Sequence, residues 1–339
     1  MPVQKAEPQT QTKSVARLIV EEKQKRKKIK NGAIIILIAV VVVILTVGQL
    51  APDSGIPSWS GMFSYLEEST KPVEEHSDKL AGEVKMSVHI IDVGQGDSIL
   101  VRAGDKTVLI DAGENGYGTT VVNYLHSLKI YTLDYIIATH PHSDHIGGLD
   151  AVIGSVPVGT VIMPEIPEAL LPTNKTYNDF LDALYKAKAL GTKIVKAQAG
   201  YEVELGEVKM KVLSPFPDDS YEDMNNYSAA LLFSCGKVTF LTCGDCTSNA
   251  EGRIISEYPD MKATLLKISH HGSSASSSKS YLSALSPQFA AISVGRDNDY
   301  GHPNKSVITR LRDAKISYGR TDISGTLIYY TDGTTMVAA

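Results

Sequence analysis

The sequence predicts an α/β (α+β) domain of mixed sheets and covering helices, carried behind one N-terminal transmembrane helix. Three observations lead there. Residues 32–50 are uncharged and strongly apolar, and they follow a basic run. Beyond residue 85, short β-rich apolar runs alternate with helical periodicities, without an internal repeat. One such run then ends in a dense cluster of His and Asp, residue types that bind cations.

Composition permits this plan. A chain of 339 residues, 43% hydrophobic and 21% charged, holds one large domain with a sizeable core plus appendages. Its 27 Gly and 15 Pro are ordinary and exclude a low-complexity class. The net charge of −5 hides an asymmetry: nine basic and three acidic residues lie up to Asn31, leaving 24 basic against 35 acidic, a net of −11. That balance speaks against a broad nucleic-acid surface, because non-specific binding rests on basic side chains.

The run Lys23-Gln24-Lys25-Arg26-Lys27-Lys28-Ile29-Lys30 precedes the apolar stretch Gly32 to Leu50. About twenty apolar residues cross a bilayer as a helix, and flanking positive charge stays cytoplasmic. Residues 1–31 therefore read as a cytoplasmic tail and 32–50 as an anchor, with the chain single-pass and its large domain extracellular. A cleaved signal peptide has a shorter charged region and a small-x-small site, a pattern poorly matched here. Residues 51–84, broken by Pro52, Pro57 and Pro72, read as an extracytoplasmic linker. Trp59 and Phe63 either dock at the lipid interface or pack on the domain. A single span excludes a polytopic transport pore.

From residue 85 to 339 the elements follow in order. Val88 to Val93, Ser98 to Val101 and Thr107 to Asp111 read as strands, the first two joined by the turn-rich Gly94-Gln95-Gly96-Asp97. Thr119 to Lys129 is helical, Leu133 to Ala138 a strand, and Gly147-Gly148-Leu149 opens a helix. After a strand at Val161 to Met163, Tyr177 to Leu190 is an amphipathic helix. Strands follow at Lys193 to Lys196, Val208 to Leu213, Ala229 to Cys235, Val238 to Leu241, Leu265 to Ile268 and Phe289 to Val294. Lys305 to Arg312 is helical, and Gly325 to Tyr330 is a closing strand.

The chemistry concentrates in His140-Pro141-His142-Ser143-Asp144-His145, three histidines and an aspartate within six positions. Residues two apart on extended backbone point the same way, so His140 and His142 can grip one cation. Asp144 and His145, past the turn, can reach a second. Imidazole with carboxylate suits zinc, manganese or iron.

The order of motifs resembles the metallo-β-lactamase superfamily, and more narrowly the extracytoplasmic domain of ComEC/Rec2-type competence proteins. The resemblance rests on His89 to Ser98, Leu109 to Gly113, the histidine cluster, Asn225-Asn226-Tyr227-Ser228, Thr242-Cys243-Gly244-Asp245, His270-His271-Gly272-Ser273, Tyr300-Gly301-His302-Pro303, Arg320-Thr321-Asp322 and Gly325-Thr326. It implies a four-layer αβ/βα sandwich with two divalent metal ions between two sheets. Asp245 would be the carboxylate bridging them, and one of His270 and His271 a ligand of the second. His271 is the assignment adopted, with His270 either an acid/base group or a residue that supports a ligand. Asp111 would accept hydrogen bonds that orient the ligand loop, or else only cap a turn. Many relatives carry a further ligand histidine upstream of the bridging Asp, whereas this chain has none between His145 and Asp245. Such a site, poorer in nitrogen, shifts preference toward manganese, with zinc also compatible.

Two adjacent ions would lower the pKa of a bound water and stabilise charge on the attacked centre, with no Ser or Cys nucleophile. Their natural substrate is a phosphodiester: DNA, as the resemblance implies, or a cell-wall polymer such as phosphorylcholine on teichoic acid, as the net of −11 suggests. A non-catalytic surface component is the contrasting reading. Asp144 belongs to the catalytic group as well as to the ligands, and His302 either protonates the leaving oxygen, contacts the phosphate, or steadies a turn. Asn226, Ser228, Ser273 and Arg296 are candidate substrate contacts, and Arg296 and Arg320 have surface ion pairing as their alternative. The serine-rich run Gly272 to Ser278 offers either a phosphate cradle of backbone amides or a flexible loop. Cys243 and Cys246 flank Asp245, but the odd count of three argues for buried free thiols.

Overall fold

The computed structural model describes Thr46 and residues 80–339. The expected tail, anchor and most of the linker lie outside the described residues. Among the described residues no helix is long and apolar enough to cross a membrane.

Among the described residues, fifteen strands form two sheets. The first contains β1 (Met86–Ile90), β2 (Ile99–Ala103), β3 (Lys106–Ile110), β4 (Leu133–Ile137), β5 (Val158–Pro164) and β6 (Lys193–Ala197). The second contains β7 (Glu202–Leu205), β8 (Val208–Ser214), β9 (Ala230–Cys235), β10 (Val238–Thr242), β11 (Leu265–Lys267), β12 (Phe289–Ile292) and β13 (Ser317–Arg320). Finally β14 (Leu327–Thr331) and β15 (Met336–Ala338) return to the first sheet, giving the order β15-β14-β1-β2-β3-β4-β5-β6 beside β13-β12-β11-β10-β9-β8-β7.

Strand periodicity builds the layers. Along β1 to β3, Val88, Ile90, Ile99, Val101, Val108 and Ile110 face the core between the sheets, where Phe233 and Phe240 stack. Leu100 and Leu109, one residue out of phase, face the other way. That outer face is covered by α1 (Gly118–Ser127), α3 (Leu149–Ser155) and α4 (Lys175–Ala189), with the short α2 (Ser143–Ile146) at the site itself. The second sheet is covered by α5 (Ser248–Glu257), α6 (Lys279–Leu285) and α7 (Lys305–Asp313), through residues such as Ile254, Tyr281 and Leu311. A one-turn α8 (Thr321–Ser324) follows β13.

Caps explain the helix starts. Asn174 accepts a hydrogen bond from Tyr177 N at 3.0 Å, Asn304 one from Ser306 N at 3.0 Å, and Ser278 one from Tyr281 N at 3.2 Å. The Ser278 cap turns the end of the serine-rich run into a helix entry. Ser277 N and Ser278 N both donate to the Glu251 carboxylate, at 2.7 and 3.2 Å, and Ser276 is fully buried. Those two amides serve Glu251, so this end of the run is neither a phosphate cradle nor a flexible loop.

Strands β3 to β6 are parallel, as are β10 to β13, so their C-terminal ends gather at the same rim. Open parallel sheets place their ligand sites there. Asp111 follows β3, the histidine cluster β4, Asp245 β10, and His270-His271 β11.

Candidate metal centre

The loop after β4 is built from its backbone outward. Thr139 N and Oγ1 donate to the two Asp111 carboxylate oxygens at 2.8 and 2.6 Å. Asp111 also accepts from His145 Nδ1 at 2.7 Å, which turns the Nε2 of His145 inward. Asp111 itself sits at φ 57, a conformation costly for a non-glycine residue that fixes how its carboxylate faces the loop. Gly96 packs against the same loop: a Cβ there would meet Asp144 O at 2.2 Å. Only glycine allows that approach, which lets Asp97 N donate to Asp144 O at 3.0 Å.

The second half supplies the other side. Asp245 leaves β10 in a tight turn, its N–H donating to Ser228 Oγ at 3.2 Å. His270 N donates to Gly244 O at 3.1 Å, which ties the one-turn segment Ser269–Gly272 to the Asp245 loop. His270 and His271 both stand at positive φ, 53 and 52. Two such residues in succession are strained and hold His271 toward the carboxylates.

Asp144, His145, Asp245 and His271 thereby place one ligand atom each within 4.8 Å of one another. His145 Nε2 lies 3.2 Å from Asp245 Oδ1, and His271 Nε2 lies 3.2 Å from Asp144 Oδ2 and 3.4 Å from Asp245 Oδ2. His145 Nε2, His271 Nε2 and Asp245 Oδ1 are buried with no hydrogen-bond partner in the chain. Inward-pointing imidazole nitrogens and an orphaned carboxylate oxygen are what a divalent cation satisfies, so the residues fit one.

Beside this group, His140 Nε2 and His142 Nδ1 are 2.9 Å apart, and the His140 ring centroid is 4.2 Å from that of His145. This second pair brings two ring nitrogens together beside the first group.

Charge follows the same geometry. Burial opposes ionisation of Asp245, but His271 and His145 hold its carboxyl well below the usual range. Asp144 is also held low, by His145 and His271 against its burial. Burial opposes protonation of His145 and His271, yet their neighbouring carboxylates hold both well above the ordinary histidine value. Burial keeps His140 well below it, as a neutral imidazole.

The remaining expected residues sort by placement. His270, 25% exposed, has Nε2 3.6 Å from Asp245 Oδ2 and lies at the edge of the group. His302 faces it at 5.8 Å between ring centroids, and burial plus the charge of His271 lower it to about 4. Ser228 Oγ lies 3.3 Å from His140 Nδ1, accepts from Asp245 N and donates to Asn225 O at 2.7 Å. Asn226 Oδ1 accepts from Thr247 N and Oγ1 at 3.0 and 2.8 Å. These two side chains brace the ligand loops. Ser273 is half-buried, next to the His270-His271 turn. Exposed Arg296 donates to Asp322 O at 3.3 and 3.1 Å, and Arg320 pairs with Asp322.

Sequence reasoning assigned no role to Asp97, Lys267 and Ser293. Lys267 Nζ meets Asp97 Oδ2 at 2.6 Å, while Asp97 Oδ1 and Ser293 O lie 3.2 and 3.0 Å from His271 Nδ1. The usable signal was one lysine inside the apolar run Leu265-Leu266-Lys267-Ile268. All three cysteines are buried and free, and burial pushes Cys243 up to about 12.

The model of the metallo-β-lactamase superfamily matches residues 91–296. The chain belongs to the metallo-β-lactamase superfamily. It is a metallohydrolase-fold protein related to competence proteins: "ComE operon protein 3" of Bacillus subtilis (strain 168) is 30% identical over 266 residues, covering 73% of this chain and 33% of that protein. "Competence protein ComA" of Neisseria gonorrhoeae is 30% identical over 249 residues, 72% of this chain and 32% of the relative. "Recombination protein 2" of Haemophilus influenzae is 28% identical over 243 residues, 70% of this chain and 28% of the relative. The metallo-β-lactamase-fold chain thus spans about a third of the length of these curated relatives.

Proposed function

We propose that this chain is a membrane-anchored, extracytoplasmic phosphodiesterase that cuts DNA. The observation that carries the hydrolase reading is the buried group Asp144, His145, Asp245 and His271 with its orphaned inward atoms, beside the His140–His142 pair. The presence of this whole group together speaks against a non-catalytic component. Bound divalent ions, manganese or zinc, supply Lewis acidity and an activated water. The chain's own residues do the rest. Asp111 and Thr139 orient the His145 side of the loop, while Asp97 and Ser293 orient His271. His270 and His302 stand at the edge of the group, placed to contact phosphoryl oxygens or to exchange a proton with the leaving oxygen. The buried, strongly protonated thiols are unsuited to act as nucleophiles.

DNA as substrate draws on the relatives, whose names speak of competence and recombination. The apolar segment 32–50 and the basic run before it support the anchor and the extracellular placement. One observation favours a second substrate, a cell-wall phosphodiester such as a phosphorylcholine ester: the net of −11 beyond residue 31. A panel with manganese or zinc decides, using single-stranded DNA, duplex DNA, bis-p-nitrophenyl phosphate and p-nitrophenylphosphorylcholine. DNA cleavage is the expected result. Cleavage of the choline ester alone selects the second substrate, and no cleavage of any member overturns the phosphodiesterase reading.

A further inference from the structure

A pocket of about 430 Å³ opens beside His140, at the C-terminal ends of β5 and β6 and under α4. Its walls are apolar and aromatic: Ile146, Met163, Leu171, Tyr177, Phe180 and Ile194. Its volume falls in the range of small-ligand sites. Besides His140, its lining carries two charged side chains, Glu165 and Lys196, already paired at 2.7 Å. Glu165, Ile166 and Lys196 also line a neighbouring depression that continues to Phe216 and Tyr227 and adds Glu168 and Asp219. The continuous cleft therefore offers no free cation to a phosphate, and its extra charges are negative. His140 is the wall it shares with the candidate metal centre.

Because the pocket opens beside His140, a phosphodiester reacting at the centre can project one substituent into it. An acidic cleft gains nothing from the charged backbone of a nucleic acid. It gains from an uncharged, planar group that can stack on Tyr177 and fill the apolar walls, as bases do on aromatic platforms. We propose that the pocket beside His140 is a subsite for one unstacked base of a single-stranded nucleic acid, an inference that rests on the phosphodiesterase reading. A base inside a duplex must first be unpaired and unstacked to enter, so the site discriminates against duplex.

The test compares a short single strand, a strand of equal charge carrying abasic tetrahydrofuran residues, and the duplex, by hydrolysis with manganese and by fluorescence anisotropy. The intact protein is compared with Leu171→Glu and Ile194→Glu, positions on a half-buried loop and an edge strand, each checked for folding by its melting curve. Wild type should favour the native single strand by about tenfold or more over the other two, the scale of one stacked base. Either variant should bring the native strand down to the abasic level. Equal treatment of native and abasic strands, a preference for duplex, or a discrimination that survives both folded variants overturns the subsite. Hydrolysis of native and abasic strands alike leaves the phosphodiesterase reading standing while the subsite falls. Failure to bind or hydrolyse any strand removes both.

Discussion

Lys267 Nζ donates to Asp97 Oδ2 at 2.6 Å, with both side chains almost wholly inaccessible. Burial alone would raise the Asp97 carboxyl, but the charges of Lys267 and His271 hold it at about 2. A buried ion pair is not by itself a source of stability, because desolvation offsets the attraction. Its use here is position: the other Asp97 oxygen faces His271 Nδ1, leaving Nε2 pointed at Asp144 and Asp245. Lys267→Met strands the Asp97 carboxylate and should cost about 3–5 kcal/mol in urea unfolding. Adding Asp97→Asn should recover part of that loss, and strictly additive losses would show the pair to be uncoupled.

Asp111 accepts three hydrogen bonds from Thr139 and His145. Asp111→Asn keeps the volume but places an NH₂ against one of those donors. Manganese or zinc affinity, measured by isothermal titration calorimetry, should fall about 10–100-fold, the usual effect of losing a partner that orients a ligand. An unchanged affinity would leave Asp111 with a turn-capping role alone.

Purified without chelator, the protein should contain two divalent ions by elemental analysis. Stripping them should lower the melting temperature, because ligand-bound and ligand-free folds differ in stability by mass action. His142→Ala should abolish phosphodiester hydrolysis while leaving the far-UV circular dichroism unchanged. Metal-free preparations, or undiminished turnover, would refute the assignment.

Glu251 is buried on α5, and burial raises its carboxyl from the ordinary 4.5 to about 7 against the hydrogen bonds from Ser277 and Ser278. Between those values the folded state holds a proton that the unfolded state releases. Stability therefore falls as pH rises from 4.5 through about 7, by roughly 3 kcal/mol if this group acts alone. Urea unfolding at pH 5 and pH 8 should show the loss, and Glu251→Gln should flatten the difference. A Glu251→Gln profile parallel to wild type would contradict the shift.

Much of the fold was readable because strand and helix periods are local. The amphipathic patterns near Tyr177 to Leu190 and Lys305 to Arg312 match α4 and α7 to within a few residues. The elements missed, among them α5, α6, β7 and β13, are short or polar: α5 and α6 gain their burial from packing against the second sheet, and β7 and β13 are that sheet's two edge strands. The serine-rich run shows the same limit. Its composition says loop, but Glu251, 26 residues away from Ser277, consumes the amides that the run leaves unpaired.

The sequence by itself determined the residue types and their order: His140 to His145 after one strand, Asp245 after another, His270-His271 after a third, and no histidine between His145 and Asp245. These are properties of the covalent chain and need no fold to be read. Tertiary structure alone decided which of the two adjacent histidines faces the carboxylates, since that depends on the positive φ of both and on the bond from His270 N to Gly244 O. It also turned Ser228 and Asn226 into braces and brought Lys267 to Asp97, 170 positions away. Contacts across two sheets depend on the register and packing of the whole core, and no local pattern in the sequence encodes them.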